Sequence, residues 1–205
     1  MTPRRLKLVL VLAGLVLAGT TLLSWTQPWF ALVVDAPQGG SVEVASDGDV
    51  AGGALAALAL ASLALVGALT IAGPVFRVVL GVLQALLGAC VVTSALLAVG
   101  DPVGVSGSAL TTATGVDGSR SLDDLVTSVA TTAWPWVGLV AGVLTALHGA
   151  AVALTARRWP AATRKYQAVR LERADPSDDP AATWDSLSGG GDPTAGQADG
   201  DDRSR

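Results

Sequence analysis

The feature that most constrains this chain is a stretch of 21 residues without a charge, Trp136–Ala156. A helix rises about 1.5 Å per residue, so this stretch is long enough to cross the roughly 30 Å of hydrocarbon in a bilayer. Trp134 precedes it, Trp136 begins it, and Arg157 and Arg158 follow it. We therefore expect a transmembrane helix at residues 136–156, with its basic end facing the cytoplasm.

Composition supports the same class. Of the 205 residues, 51% are hydrophobic and 15% are charged, and the mean hydropathy is +0.53. This profile is typical of an integral membrane protein that has the lipid bilayer as its main partner. The net charge of −4 gives no indication of a nucleic-acid partner. Cys90 is the single cysteine, so neither an intramolecular disulfide nor a cysteine-based metal site can form.

A basic leader opens the chain, with Arg4, Arg5 and Lys7 before an apolar run. Secretory signal peptides also begin in this way, but their apolar region is usually only about 7–15 residues long. The run here is longer, and it ends in a Trp-rich segment that is a poor cleavage site. We expect an uncleaved first span at residues 6–24.

Residues 50–99 contain one charge, Arg77, and are long enough for two spans. Gly73 and Pro74 divide them, because proline cannot continue a helix. This predicts a tight helical hairpin with spans at 51–72 and 75–99 and with Arg77 at the shared cytoplasmic turn.

Residues 31–50, between the first two predicted spans, are the first external loop. The sequence there predicts a small β-hairpin, with strands at Phe30–Val34 and Ser41–Ala45 and a turn at Pro37–Gly40. We favour a solvated loop over a ligand site there. In the second external loop, residues 100–133, which is rich in Gly, Ser and Thr, Ser121 and Asp124 fit a capping box and predict a helix from Leu122 to about Thr131. Its apolar face is expected to lie on the membrane surface or on the first loop.

Basic residues set the orientation. Of the 13 lysines and arginines, only Arg120 falls in an external loop. The positive-inside rule then predicts four spans with both termini in the cytoplasm. The fold class is thus an all-α membrane protein with a small external hairpin, in which residues 1–158 form the membrane domain.

Residues 159–205 are expected to form a basic juxtamembrane segment and a disordered acidic tail in the cytoplasm. Trp184 and Leu187 stand out in that tail, because an aromatic and an aliphatic residue in a disordered segment are typical anchors for a soluble partner. An aromatic residue with no partner is the alternative.

Small residues recur every four positions in three spans, which favours close helix packing. The stripes are Gly53, Ala57 and Ala61; Gly81, Ala85 and Ala89; and Gly138, Gly142, Ala146 and Ala150. Gln84 and His148 lie at matching depths, so we predict an interhelical hydrogen bond between them, with a solute-binding histidine as the alternative. Five tryptophans are expected to be interfacial anchors: Trp25, Trp29, Trp134, Trp136 and Trp159.

The residues that would carry chemistry are missing. A single histidine cannot form a two-histidine metal or haem site, and no phosphate-binding glycine loop or nucleophile motif is present. We therefore expect no catalytic residues, cofactor or metal, and a protein that is not an enzyme. The spans carry no deeply placed charge, which argues against an ion-coupled pump.

Several sequence runs resemble one family. They are Trp25–Trp29, Arg158–Pro160, Arg164–Tyr166, Trp184–Leu187 and Gly191–Thr194. With the Ala- and Gly-rich middle hairpin, they are similar to the actinobacterial Trp biosynthesis-associated membrane protein family. The resemblance implies a four-span plasma-membrane protein, named for the tryptophan-biosynthesis genes beside which it is encoded, with no established activity. The second external loop is longer here than in the family pattern.

Two functional hypotheses follow. The first is an accessory or scaffold protein whose tail binds a soluble cytoplasmic partner. The second is a carrier or exporter for tryptophan or a related intermediate. The apolar spans favour the first, and the sequence leaves the oligomeric state open.

Overall fold

The computed structural model describes residues 3–35, 39–156 and 188. The described residues up to 156 belong to one compact unit, and Ser188 belongs to a second. In chain order the elements of the first unit are α1 (Pro3–Trp25), β1 (Pro28–Asp35), β2 (Ser41–Asp47), α2 (Gly48–Ala51), α3 (Leu55–Ile71), α4 (Pro74–Gly100), α5 (Pro102–Val105), α6 (Gly107–Thr114), α7 (Ser119–Leu125), β3 (Val126–Thr131) and α8 (Trp134–Thr155).

Three helices in the described part of the chain are long and apolar enough to cross a membrane. They are Arg5–Trp25, Pro74–Gly100 and Trp134–Thr155, and they coincide with the first, third and fourth predicted spans. The predicted span at 51–72 is an apolar helix of only 17 residues, α3. Gly52 and Gly53 interrupt it, because two consecutive glycines are poor helix formers and the chain turns there.

The predicted break between the second and third spans is confirmed. α3 ends at Ile71, and α4 starts at Pro74, whose fixed φ suits the first helical turn. Arg77, which the sequence placed at the shared turn, lies in the first turn of α4, and its side chain is buried at 1% exposure. It is buried because it shares a helix face with Gly81 and Gln84.

Buried positions in α3 and α4 alternate between steps of four and three residues. On α4 they are Arg77, Gly81, Gln84, Gly88, Val91, Ala95 and Ala98. This heptad-like spacing keeps one seam facing the neighbouring helices. The exposed faces carry Leu and Val, as at Leu86, Leu96 and Leu97. Small residues inside and large apolar residues outside are typical of a helix bundle in lipid.

The predicted hairpin is confirmed, and it is part of a three-stranded antiparallel sheet of order β2-β1-β3. β1 and β2 pair with Leu32 opposite Val44. The turn between them has left-handed glycines at Gly39 (φ 93°) and Gly40 (φ 96°). Residues 36–38, which include the other half of the predicted turn, lie outside the described residues.

The predicted helix at 122–131 is wrong in its second half. α7 ends at Leu125, and Val126–Thr131 is a strand that pairs with β1. The segment is rich in β-branched residues, and β1 has a free edge beside it, so sheet pairing replaces the last helical turns. The capping box is not used either, because α7 begins at Ser119 after Gly118, whose φ is 100°.

The sheet and short helices form a cap over one end of the bundle. Trp29, Phe30, Leu32 and Val34 of β1 are buried in one hydrophobic cluster. The same cluster contains residues at the start of α3, near the end of α4 and in the segment between α4 and α8: Leu55, Ala95, Ala98, Leu110 and Leu122. Cap and bundle therefore share a core.

Candidate functional site

The closest helix contact is the seam between α4 and α8. A methyl group added at Gly81 would lie 2.7 Å from Ala153 N and 2.8 Å from Gly149 O. One added at Gly88 would lie 2.7 Å from Gly142 O and closer still to Ala146 N. The backbones of the two helices are therefore in direct contact, which only glycine at these positions allows.

The predicted stripes are only partly right. Gly81, Ala85, Gly142 and Ala146 lie in the seam, but Ala89 and Ala150 are exposed. Gly53 and Ala57 on the second predicted span are also exposed. A strict step of four residues drifts by about 40° around a helix of 3.6 residues per turn, so it leaves the interface. Gly88 and Gly149, seven residues beyond Gly81 and Gly142, stay in it.

His148 forms a polar contact between α8 and α1. Its side chain is 6% exposed, and Nε2 lies 2.8 Å from the carbonyl oxygen of Leu10. Because a carbonyl only accepts, Nε2 is the donor. Gly14 gives the ring its space, since a methyl group there would lie 3.0 Å from His148 Cε1 and 2.6 Å from Val66 Cγ2.

The predicted hydrogen bond between Gln84 and His148 is not formed. Gln84 is fully buried on α4, and neither atom of its amide has a partner among the described residues. His148 instead bonds to the Leu10 carbonyl. Sequence reasoning missed that acceptor because every residue carries a backbone carbonyl, so none stands out in a sequence. The available signal was Gly14, four residues further along α1, which leaves space for the histidine ring.

Both ends of α1 are held by hydrogen bonds. At the basic end, Lys7 Nζ donates to Thr70 O of α3 over 2.8 Å. At the cap end, Ser24 Oγ donates to Trp134 O of α8, also over 2.8 Å. The start of α1 and the end of α3 are therefore on the same side of the bundle.

Trp29 is not an interfacial anchor, as the sequence predicted. It is fully buried, its Nε1 donates to Ser24 O over 2.8 Å, and its ring meets Phe30 edge-on at 6.4 Å. Glycines surround the ring, and a methyl group at Gly48 would lie 2.8 Å from Trp29 Nε1. The tryptophan is buried because β1 is the central strand of the sheet and contributes this side chain to the core that cap and bundle share.

The other predicted anchors differ from one another. Trp136 is 50% exposed on the outer face of α8. Trp25 and Trp134 are partly buried against the cap core. Trp159 lies outside the described residues, as do Trp184, Leu187 and all of the predicted tail except Ser188.

The cap is acidic. Its described residues carry one base, Arg120, and eight acids: Asp35, Glu43, Asp47, Asp49, Asp101, Asp117, Asp123 and Asp124.

A cleft of about 270 Å³ between α5, α6 and α7 has Asp101 and Asp123 in its wall. Asp101 Oδ1 accepts from Gly104 N over 2.9 Å, so this carboxylate caps α5. The described residues contain no cluster of three potential metal ligands.

Apolar helices with small residues inside, large apolar residues outside and a folded acidic cap define an integral membrane protein. The chain belongs to the tryptophan-associated transmembrane protein family, whose model matches residues 11–194. This confirms the family resemblance seen in the sequence. Neither the curated proteins nor the solved structures gave a match.

Proposed function

We propose that this protein is a non-enzymatic accessory protein of the plasma membrane, with a rigid four-span bundle that displays a cap outside and a partner-binding tail inside. The observation that carries the proposal is the glycine seam between α4 and α8, where backbone lies against backbone at Gly81, Gly88, Gly142 and Gly149. Such an interface loses its contacts when either helix shifts. It suits a fixed platform better than a carrier that must open and close.

The four-span topology has two supports. α3 has 17 residues, the lower end of the range for a membrane helix, and covers about 26 Å. The Lys7–Thr70 bond holds the basic start of α1 beside the end of α3. Arg77 lies just beyond that end, so the positive-inside rule favours this side as the cytoplasmic one.

We expect reporter fusions after Gly73 and after Arg173 to show a cytoplasmic location, and fusions after Gly48 and after Gly115 to show an external one. The reason is that twelve of the thirteen basic residues then lie inside. Paired alkaline phosphatase and fluorescent-protein fusions make the measurement. An external signal from the Arg173 fusion contradicts the four-span arrangement.

The tail prediction concerns Trp184 and Leu187. A Trp184→Ala/Leu187→Ala variant is expected to insert in the membrane at the wild-type level and to lose its cytoplasmic partner. The reason is that an apolar pair in a polar segment supplies most of the area buried against a partner. Tagged wild type and variant are crosslinked in cells and compared by quantitative mass spectrometry. Ser186→Ala is the matched control and should keep the partner. Equal recovery from all three contradicts the tail as a binding segment.

The second candidate function is transport of tryptophan or a related intermediate. The favouring observation is the pair of buried polar groups, the Gln84 amide and His148 Nδ1, which have no partner among the described residues. A solute-binding position inside the bundle needs such groups.

We expect the accessory role to prevail in a flux measurement. Liposomes containing the purified protein should take up labelled tryptophan no faster than protein-free liposomes, and deletion of the gene should leave secreted tryptophan unchanged. Uptake that exceeds the control and is abolished by Gln84→Leu or His148→Leu would establish the carrier instead.

A further inference from the structure

The two edges of the cap sheet are β2 and β3, and no further strand pairs with either among the described residues. Thr132 N donates to Trp29 O over 2.9 Å, and the register places Ala130 opposite Ala31 and Ser128 opposite Val33. In an antiparallel ladder, residue pairs that exchange backbone hydrogen bonds alternate with pairs that do not. Ala130 and Ser128 therefore bond to β1, whereas Val129 and Thr131 direct their backbone N–H and C=O groups away from the sheet.

This edge lacks the usual protection against pairing. β3 has no charged residue, no proline and almost no buried side chain, and Val129 is 38% exposed. A bulge at Thr127 affects only its start, so Ser128–Thr131 remains regular. Unprotected edges are templates for another strand.

The opposite edge of the same sheet shows the contrast. β2 carries the charged residues Glu43 and Asp47. Charged side chains are a common means by which proteins protect an edge from pairing. The β2 edge therefore carries this protection, and the β3 edge lacks it.

Charge identifies the kind of strand that fits the open edge of β3. Asp123 and Asp124 are in the last turn of α7, just before β3, and Asp35 ends the neighbouring strand where Val34 lies opposite Val126. Sequence and register thus place three acidic residues near the N-terminal end of β3. A second copy of this chain would bring an equally acidic cap and would be repelled, whereas a basic segment would be attracted.

We propose that the open edge of β3 binds an extended segment of another protein, as a fourth antiparallel strand with basic residues at its C-terminal end. In the antiparallel orientation the C-terminal end of the incoming strand lies beside the N-terminal end of β3, next to the three carboxylates. Backbone hydrogen bonds to Val129 and Thr131 supply the affinity, as in other strand-addition complexes. This binding surface is on the cap and goes beyond the tail-binding role proposed above.

The test uses the full-length protein in nanodiscs and a fluorescent peptide of alternating threonine and valine that ends in two lysines. Matched peptides place the lysines first or replace them with glutamates. We expect the lysine-ended peptide to bind more tightly than both by about tenfold or more, and added salt to weaken it.

Proline substitutions locate the site. Val129→Pro removes an outward N–H without affecting the ladder to β1, and edge strands tolerate proline. It is expected to weaken peptide binding by about tenfold, because a backbone bond is lost and the ring obstructs the incoming strand. Ala45→Pro on β2 also removes an outward N–H, from the opposite edge, and should leave binding unchanged.

A peptide with N-methyl groups on alternate amides tests the same hydrogen bonds with the unaltered protein. The proposal can therefore be tested even if a proline variant fails to fold. It should bind at least tenfold more weakly than the parent peptide when the methylated amides face β3. Absence of binding by the lysine-ended peptide overturns the proposal. So does equal binding by wild type and Val129→Pro, equal loss in Ala45→Pro, or equal affinity for the N-methylated and parent peptides.

Discussion

Replacing Trp29 with alanine is expected to destabilise the protein by about 3–5 kcal/mol, the usual cost of removing a large aromatic side chain from a core. Trp29 is fully buried, and its indole N–H bonds to the carbonyl of Ser24 at the end of α1. The loss would leave a cavity where the sheet meets the helix ends. Unfolding of the purified protein in detergent, followed by protease sensitivity of the cap, measures the change.

Two variants serve as controls for Trp29. Trp29→Phe keeps most of the ring and loses the hydrogen bond, so an intermediate effect is expected, with about 1 kcal/mol from the bond. Trp136→Ala removes a tryptophan that is 50% exposed, and its effect on stability should be within about 0.5 kcal/mol. If Trp29→Ala and Trp136→Ala unfold alike, Trp29 is not the core residue described above.

Replacing Gly88 with alanine is expected to separate α4 from α8 and to destabilise the bundle by about 1–3 kcal/mol, as overpacking does in a tight core. The added methyl group would lie 2.7 Å from Gly142 O, and Ala146 N is nearer still. Both obstacles are backbone atoms, so rotation of a side chain cannot relieve the clash. The helices must move apart along their whole contact.

The matched control is Gly67→Ala on α3. A methyl group there meets no atom within 4 Å, and alanine is the better helix former, so stability should be unchanged or raised. Thermal unfolding in one detergent compares both variants with wild type. A Gly88→Ala protein as stable as wild type would remove the rigid seam, and with it the main support for the accessory role.

The α4–α8 seam and the β3 edge have different consequences for how the protein works. The glycine contacts hold α4 and α8 in one arrangement, whereas the open edge of β3 offers unpaired backbone groups to a partner. The proposed tail partner and the proposed external strand are independent, so each can fail without the other. An accessory protein with partners on both sides of the membrane is the consequence if both hold.

The sequence alone determined the membrane class, the positions of three apolar helices, the break at Gly73 and Pro74, the first hairpin and the family. These follow from local properties: the length of uncharged segments, the φ of proline, and alternating β-branched residues near glycines. Each depends on neighbours in the chain, so no knowledge of the packing was needed.

Tertiary structure alone decided the rest. β3 is a strand because β1 lies beside it, Trp29 is buried because the cap folds over it, and His148 bonds to Leu10 because Gly14 admits the ring. The seam glycines recur every seven residues, one step of four plus one of three, because a helix has 3.6 residues per turn and a strict count of four drifts out of the interface. In each case the deciding partner is distant in sequence, and a residue's own type does not specify which surface it will meet.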